Sequence, residues 1–380
     1  IRDSVASRGL GDVYKRQIIS SHSPYDILVN SAGIAKHSAS VDTLFHDFDE
    51  VMNTNLRGAY FLTQAVAKKL ISDDDGNLIG VSGITKGNKK INLFSSNVVL
   101  ASGGFEGNSE MLSHYIGPQA QFIRPVSRGG HYNRGEGIQM ALEAGAASCG
   151  DFSSFHAQPV DPRSKDMEPV VLNYSYGLLI NESGSRFTDE APALVDSTYE
   201  AVTRIIMQQK NGIGFAVFDN KLDDIDNWNA TVRTRVAPYQ ANTLEELASL
   251  IQIPSEEFLR TVNDFNKACP DNQGDFDPLK PDGLKTDGLP LQKSNWSRPL
   301  TEAPFRAWPI ICSNCFTFGG IKIDERARVI NTEGDIIPGL YAAGEVAGIY
   351  YRTYTGATSV MRGAVTGRLA GNDASLRRNS

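Results

Sequence analysis

The chain has 380 residues, 41% hydrophobic and 21% charged, with 35 Gly, 17 Pro and 4 Cys. At about 150 residues per domain this is enough for two or three globular cores, and it excludes a disordered, collagenous or coiled-coil chain. Thirty-seven basic residues against 44 acidic ones, net −7, exclude the basic surplus that marks a nucleic-acid partner.

No apolar run is long enough for a transmembrane segment, and the N-terminus has no apolar core of a secretory signal. So few cysteines predict a reducing, cytoplasmic setting rather than a disulfide framework. Residues 1–17, IRDSVASRGLGDVYKRQ, have neither a strand nor a helix period. IRDS and SRGLGDVYKRQ resemble translated sequencing adapters, so this stretch is expected not to be native protein. Gly9 and Gly11 form no dinucleotide loop, because Tyr14 holds the third glycine position.

Residues 25–30, YDILVN, predict a buried strand running into the turn Ser31-Ala32-Gly33. Residues 42–70 carry helical spacing at Val51, Leu56, Phe61, Leu62 and Val66. DILVNSAGIA with DEVMNTNLRGAYFLTQAVAKKL resembles the middle of a short-chain dehydrogenase/reductase over residues 18–71. The resemblance implies a nicotinamide-side N-A-G turn and, at Asn55, the asparagine of a proton relay. No Lys has a Tyr four residues before it, and no complete G-x-G-x-x-G is present. The acid–base pair of a nicotinamide-dependent reductase is therefore missing, and this stretch is expected to be a non-catalytic fragment or a module that completes a sheet.

Asp73 to Gly76 predict a turn between short strands near 78–84 and 90–94. Residues 97–105, NVVLASGGF, predict a buried strand ending in small residues that let a ligand near the backbone. Gly135-Glu-Gly137 opens a helix that Gly145 stops. Residues 197–209 and 243–269 read as helical, the second broken near Pro254, and 270–290 as an exposed loop. Residues 338–345, PGLYAAGE, predict another buried strand with a glycine-acid end. A helix over 359–370 follows, with Gly367 expected to serve close packing. Small residues at strand ends mark ligand sites in open α/β sheets.

VVLASGGFEGN, GSRFTDE, FTFGGIKID and IPGLYAAGEVAG, in this order over residues 72–380, resemble the fumarate reductase/succinate dehydrogenase-like flavoproteins. FHAQPVDPRS, KSNWSRPL, CSNCFTFGG and YTGATSVMRGAVTGRLAG are closest to the FAD-dependent tricarballylate dehydrogenase branch. The resemblance implies an α/β, Rossmann-like FAD-binding domain interrupted by an α+β cap. The divisions expected are 72–150 and 305–380 for the FAD-binding parts, the first without its N-terminal glycine-rich loop, and 151–304 for the cap. Joined to the preceding segments, they make the chain a chimera with an incomplete cofactor site.

The implied activity is dehydrogenation of a carbon–carbon bond in a carboxylate such as tricarballylate. A small-molecule carboxylate substrate and an electron-accepting redox partner go with it. Fumarate reduction and ketosteroid dehydrogenation are the alternatives within the group. FAD would be held by Ala101, Ser102, Gly103, Gly104, Gly344, Glu345, Thr358, Ser359 and Val360. A flavin reduced at N5 gathers negative charge near N1, which a helix N-terminus stabilises; the loop at 356–359 suits that task.

Arg352 matches the family's substrate arginine, and a guanidinium grips a carboxylate bidentately. His156, Arg186 and Tyr351 complete the catalytic candidates, with pairing of Arg186 to Asp189 or Glu190 left open. Phe316 stands where fumarate reductases carry a histidine, and Asp223 near their proton-donating arginine. Fumarate reduction by the usual arginine relay is therefore disfavoured. Cys312 and Cys315 lack two further ligands for a structural zinc and read as structural or pocket-lining thiols, and no metal is expected.

Overall fold

The computed structural model describes residues 27–28, 69–84, 88–272 and 276–377. They fall into two compact units: Ile1–Asn108 with His131–Phe155 and Phe316–Ser380, and Ser109–Gly130 with His156–Cys315. The readings on residues 1–17, on the turn at 31–33 and on Asn55 lie outside the described residues.

In the first unit, Asn97–Leu100 is an almost wholly apolar strand, as a parallel strand covered on both faces must be. It pairs in parallel with Ile336–Ala342, Leu340 beside Val98 and Ala342 beside Leu100. On its other side Ile27–Leu28 pairs with it, also in parallel. Arg328–Ile330 adds an antiparallel edge to Ile336–Ala342. The expected strand at 97–105 thus stops at Leu100, and the residues after it turn away.

The helix Ser359–Arg377 presses Ala370 and Ala374 onto Ala327 and Tyr341. It continues past the expected end at 370, held by Tyr341 donating to Asp373 at 3.0 Å and Arg377 donating to the Ser96 carbonyl at 2.9 Å. Close packing is the work of these alanines. A Cβ on Gly367 would meet nothing within 4 Å, contrary to the expectation for that glycine.

Lys69–Ser72, Leu78–Ile84 and Lys90–Phe94 form an antiparallel meander. Asp73 makes the first turn by accepting the N–H groups of Asp75 and Asn77 at 3.1 and 2.8 Å. The helical signal expected over 42–70 is corrected at its end, because Lys69 and Leu70 are strand. Pairing of Leu70 with Val81 buries Leu70 to 5% exposure, and tertiary burial overrides local periodicity. One strand passes through Ile71 and Ser72, where the fragment boundary was expected.

The second unit is built on an antiparallel sheet in the order Tyr239–Ala241, Phe305–Thr317, Ile213–Phe218, Leu178–Asn181. Its side chains alternate. Leu179, Ala216, Phe218 and Trp308 meet Val202 and Ile206 of the helix Val195–Met207. Leu178, Ile180, Val217 and Ala307 meet Leu247, Phe258, Val262 and Phe265 of the helices Leu244–Leu250 and Ser255–Ala268. The break near Pro254 is where the sequence puts it. Thr243 caps the first of this pair, accepting the Glu246 N–H at 3.1 Å.

No helix or strand lies between Ala268 and Phe305 among the described residues. The stretch 270–290 is nevertheless not wholly exposed, since Thr286 is fully buried and Leu284 is 7% exposed. Lys293, just beyond, is also fully buried and donates to the carbonyls of Ser175 and Gly177 at 2.5 and 2.6 Å. Burial in apolar surroundings pushes its ammonium down to about 8.

Candidate functional site

After Leu100 the backbone turns at Gly103, whose φ of +81° favours glycine. A Cβ on Gly104 would fall 2.1 Å from Thr317 Oγ1 and 2.2 Å from Glu345 Oε1; one on Gly137 would fall 2.2 Å from Ser102 Oγ. The close approach expected of a ligand is thus made by the chain's own side chains. Ala101 is exposed and Ser102 partly buried.

Glu345 follows Gly344, another positive-φ turn. Its Oε1 accepts the Thr317 N–H at 2.7 Å and the Thr317 hydroxyl at 3.2 Å. Glu106, 2% exposed, hydrogen-bonds to Glu345 and accepts from Asn133 at 3.3 Å. Burial, then the charge of Glu345, holds the Glu106 carboxyl well above the usual range, and burial raises Glu345 too. Two carboxyls in one dry pocket cannot both ionise cheaply, so the pair retains a proton.

Arg362, 6% exposed, lies with its guanidinium 4.7 Å from the Tyr350 ring and 5.3 Å from Phe316. Burial lowers it while the Glu345 charge opposes the shift. Its Nε and Nη1, Ser102 Oγ and Glu106 Oε2 have no hydrogen-bond partner among the described residues. Each such buried orphan costs about 1–3 kcal/mol until something bonds it. A hydroxyl, a carboxyl oxygen and two guanidinium N–H groups around a glycine turn fit a cofactor rich in sugar hydroxyls, as FAD is.

The N-terminus of the helix Ser359–Arg377 is capped from within the unit. The Tyr354 hydroxyl accepts the N–H groups of Thr358 and Ser359 at 2.9 and 3.1 Å. It also bonds the Ser359 hydroxyl at 3.1 Å. Burial works to raise the Tyr354 phenol, but these hydrogen bonds outweigh it and leave it lowered. The Thr358 hydroxyl bonds Tyr350 at 2.8 Å and Thr355 at 3.1 Å. Thr358 and Ser359 therefore do not cap the helix with their own hydroxyls, and Val360 is 80% exposed.

Arg352 is exposed and carries φ +61°, an unusual conformation for a residue with a Cβ. Its N–H reaches Asp151 at 3.3 Å. Tyr351 places its hydroxyl 3.1 Å from Cys149 Sγ and accepts the Gly150 N–H at 3.1 Å. The hydrogen bond with Cys149 raises its phenol.

In the second unit, His156 puts Nδ1 3.1 Å from Glu200 and Nε2 3.3 Å from the Tyr199 hydroxyl. Glu200 accepts from Arg204 at 2.7 Å. Arg186 is given different partners: Nε and Nη2 bond Glu190 at 2.9 and 2.6 Å, and Nη1 donates to the Leu291 carbonyl at 2.8 Å. Of the two acids beside Arg186 in sequence, Glu190 takes the pair, while Asp189 accepts from Ala191 and Ser294. Cys312 is fully buried and pushed up to about 12 by that burial, the reverse of an activated thiol.

Sequence reasoning missed Glu106, Arg362, Thr317, Tyr354, Tyr199 and Glu200. Glu200 and Arg204 had a readable signal, since an i,i+4 acid–base pair in a predicted helix marks one face. Tyr354 reaches amides only four and five residues on, and the rest are joined by contacts farther apart in sequence, such as Phe105 N–H to Thr317 Oγ1.

The FAD binding domain family model matches residues 5–360. The NADH:acrylate oxidoreductase of Vibrio harveyi is 30% identical over 80% of this chain and 29% of its own length. A fumarate reductase (cytochrome) of Shewanella frigidimarina is 27% identical over 90% of this chain and 55% of its own. The chain therefore spans between about a third and about half of these relatives. In fold it is similar to the open conformation of a flavocytochrome c3 fumarate reductase, with TM-score 0.67 and 23% identity over 86% of this chain and 55% of that one.

Proposed function

We propose that the chain, which belongs to the FAD binding domain family and takes FAD as its cofactor, oxidises a carbon–carbon single bond beside a carboxylate to a double bond, or reduces that double bond. The observation that carries this is the glycine turn around the Glu106–Glu345 pair, with its unbonded Ser102, Glu106 and Arg362 atoms. Glu345, Ser102 and Arg362 hold sugar hydroxyls, Gly103 and Gly104 make the turn that sets Thr317 and Glu345 against the backbone beside the cofactor, and Gly344 presents Glu345. When bound, FAD supplies the two-electron acceptor at its flavin N5.

Residues 72–150 and 305–380 serve the cofactor, and residues 151–304 are the part given to the substrate. Ala101 and the 358–360 stretch complete the cofactor contacts. Arg352, exposed beside Asp151, orients a substrate carboxylate. His156 lies on the substrate side, with Arg186 holding the structure around it and Tyr351 a secondary contact. A tricarboxylate such as tricarballylate is the substrate we favour. An electron-accepting partner reoxidises the flavin, and the setting is cytoplasmic. Residues 18–71 are read as a short-chain-dehydrogenase-like piece behind adapter-like residues 1–17; genomic DNA continuous across Ile71–Ser72 removes that reading.

The test is anaerobic. Purified chain is loaded with FAD, and flavin bleaching is followed on adding tricarballylate, succinate or a saturated ketosteroid. Bleaching by the tricarboxylate, weakened at least tenfold in KM by Arg352→Ala with unchanged FAD content, supports the assignment. Bleaching by none of the carboxylates removes it.

A further inference from the structure

The cofactor site leaves one member of its carboxyl pair, Glu106, without a role. Donors converge on the other member. Glu345 Oε1 accepts the Thr317 N–H at 2.7 Å and the Thr317 hydroxyl at 3.2 Å. That hydroxyl accepts the Phe105 N–H at 3.3 Å, so its own proton is free to face the carboxylate. The Arg362 guanidinium adds a positive charge that acts on Glu345. Glu106 is served less well. Its Oε1 accepts the Asn133 amide at 3.3 Å, and its buried Oε2 meets no donor among the described residues.

Two ionised carboxylates cannot bond each other, because each only accepts. Glu106 and Glu345 do bond, so one of them carries a proton. The imbalance of donors decides which. Hydrogen bonds to a charged form favour that form, and a buried charge without donors is costly. Glu345 is therefore the carboxylate and Glu106 the acid, with Oε2 as its hydroxyl. Burial, then the charge of Glu345, raises Glu106. Burial raises Glu345 too, but Glu106, Arg362 and Thr317 all work against that rise.

We infer that Glu106 is a neutral carboxylic acid that positions Glu345, donating to it so that Glu345 is the single carboxylate offered to the sugar hydroxyls of the cofactor. The inference rests on the cofactor-site reading above. With Glu106 neutral, the charges of Glu345 and Arg362 balance. Ionising Glu106 adds a second negative charge that lacks donors, in a site meant for a cofactor whose diphosphate is itself anionic. The protonated pair is therefore the form that takes FAD. The sign follows by linkage: affinity is level while the pair holds its proton. It falls, by up to about tenfold per pH unit, as pH climbs above the raised value of the free chain, where binding takes up a proton. The other titratable groups acting on the pair are Arg362 and, through it, Tyr350 and Tyr354.

Full-length chain tests this with two readouts. The first needs no FAD. Infrared spectra taken just above the ordinary carboxylate range are expected to show the C=O band of a buried, protonated carboxyl in wild type and to lose it in Glu106→Gln. A band that survives that substitution at full intensity puts the proton on Glu345 and overturns the inference. The second readout is FAD affinity against pH, followed by quenching of FAD fluorescence. Wild type is expected to lose about tenfold per pH unit once past the raised value. Glu106→Gln, which donates an amide N–H and cannot ionise, is expected to give a flat profile. Glu345→Gln is expected to bind at least tenfold more weakly at every pH below that value. Parallel profiles for wild type and Glu106→Gln, with Glu345→Gln still weak, overturn the inference while the site reading stands. If both variants bind FAD as wild type does at every pH, the site reading falls with it.

Discussion

Arg186 and Glu190 meet through two parallel hydrogen bonds, 2.9 and 2.6 Å, with side chains 6% and 0% exposed. Glu190 also accepts the Leu179 N–H at 3.0 Å, tying the pair to the strand Leu178–Asn181. Removing one partner leaves the other charge buried and uncompensated, which costs about 3–5 kcal/mol. Glu190→Ala should lower the unfolding free energy measured in urea by that amount. The double variant Arg186→Met with Glu190→Leu should lose much less. Equal losses in both would show that the ion pair is not the source.

The Glu106–Glu345 pair makes stability fall with rising pH. A carboxyl raised in the folded state binds its proton more tightly there than in the unfolded chain. Its contribution is full below the ordinary value of 4.5 and is lost as pH climbs through the raised one. Glu106→Gln keeps the shape and cannot ionise. Its melting temperature should match wild type near pH 4.5 and exceed it increasingly as the pH rises above that. A constant difference across that range would contradict the shared proton.

Lys293 works in the opposite sense. Its folded-state value of about 8 lies below the ordinary 10.5, so the unfolded chain holds more protons between the two. Stability from this group is constant below about 8 and rises from there toward 10.5, by an amount on the order of 3 kcal/mol. Lys293→Met removes the titration but leaves the Ser175 and Gly177 carbonyls unbonded. The wild-type minus variant difference in unfolding free energy should therefore widen through that window. Parallel curves would place the low value elsewhere.

Tyr354 caps its helix with a hydroxyl, so Tyr354→Phe strands two N–H groups while keeping the ring against Phe316, 5.0 Å away. The expected loss is about 1 kcal/mol, with faster amide exchange at Thr358 and Ser359. Unchanged exchange at those two amides would remove the cap.

What the sequence made legible was local. The Asp73 turn, the meander strands, the break near Pro254 and the helix opening at Gly135 all rest on residues whose side chains or dihedrals act within a few positions. The apolar run over 98–100 and the strand into Gly344 were readable because a strand covered on both faces is built almost wholly of apolar residues. The glycines and acids of the candidate site could be named from the sequence, but their contacts could not. Nothing near Glu106 in sequence announces Glu345, and nothing near Thr358 says that Tyr354 will reach its amide. His156 was found as a residue, whereas its partners came from a helix more than forty positions away, visible only once Glu200 and Arg204 were set on one face.

The stretch between Ala268 and Phe305 has no helix or strand among the described residues, yet it has an inside, fastened by Lys293. That gives it an uneven tolerance to engineering. Around Gly283 and Gly288, where a Cβ would meet nothing within 4 Å, a tag or a fluorophore has room to stand in solvent. Ten residues on from Gly283, the same chain is anchored from within, and cargo placed there would have to pull a buried ammonium off two carbonyls before it could fit.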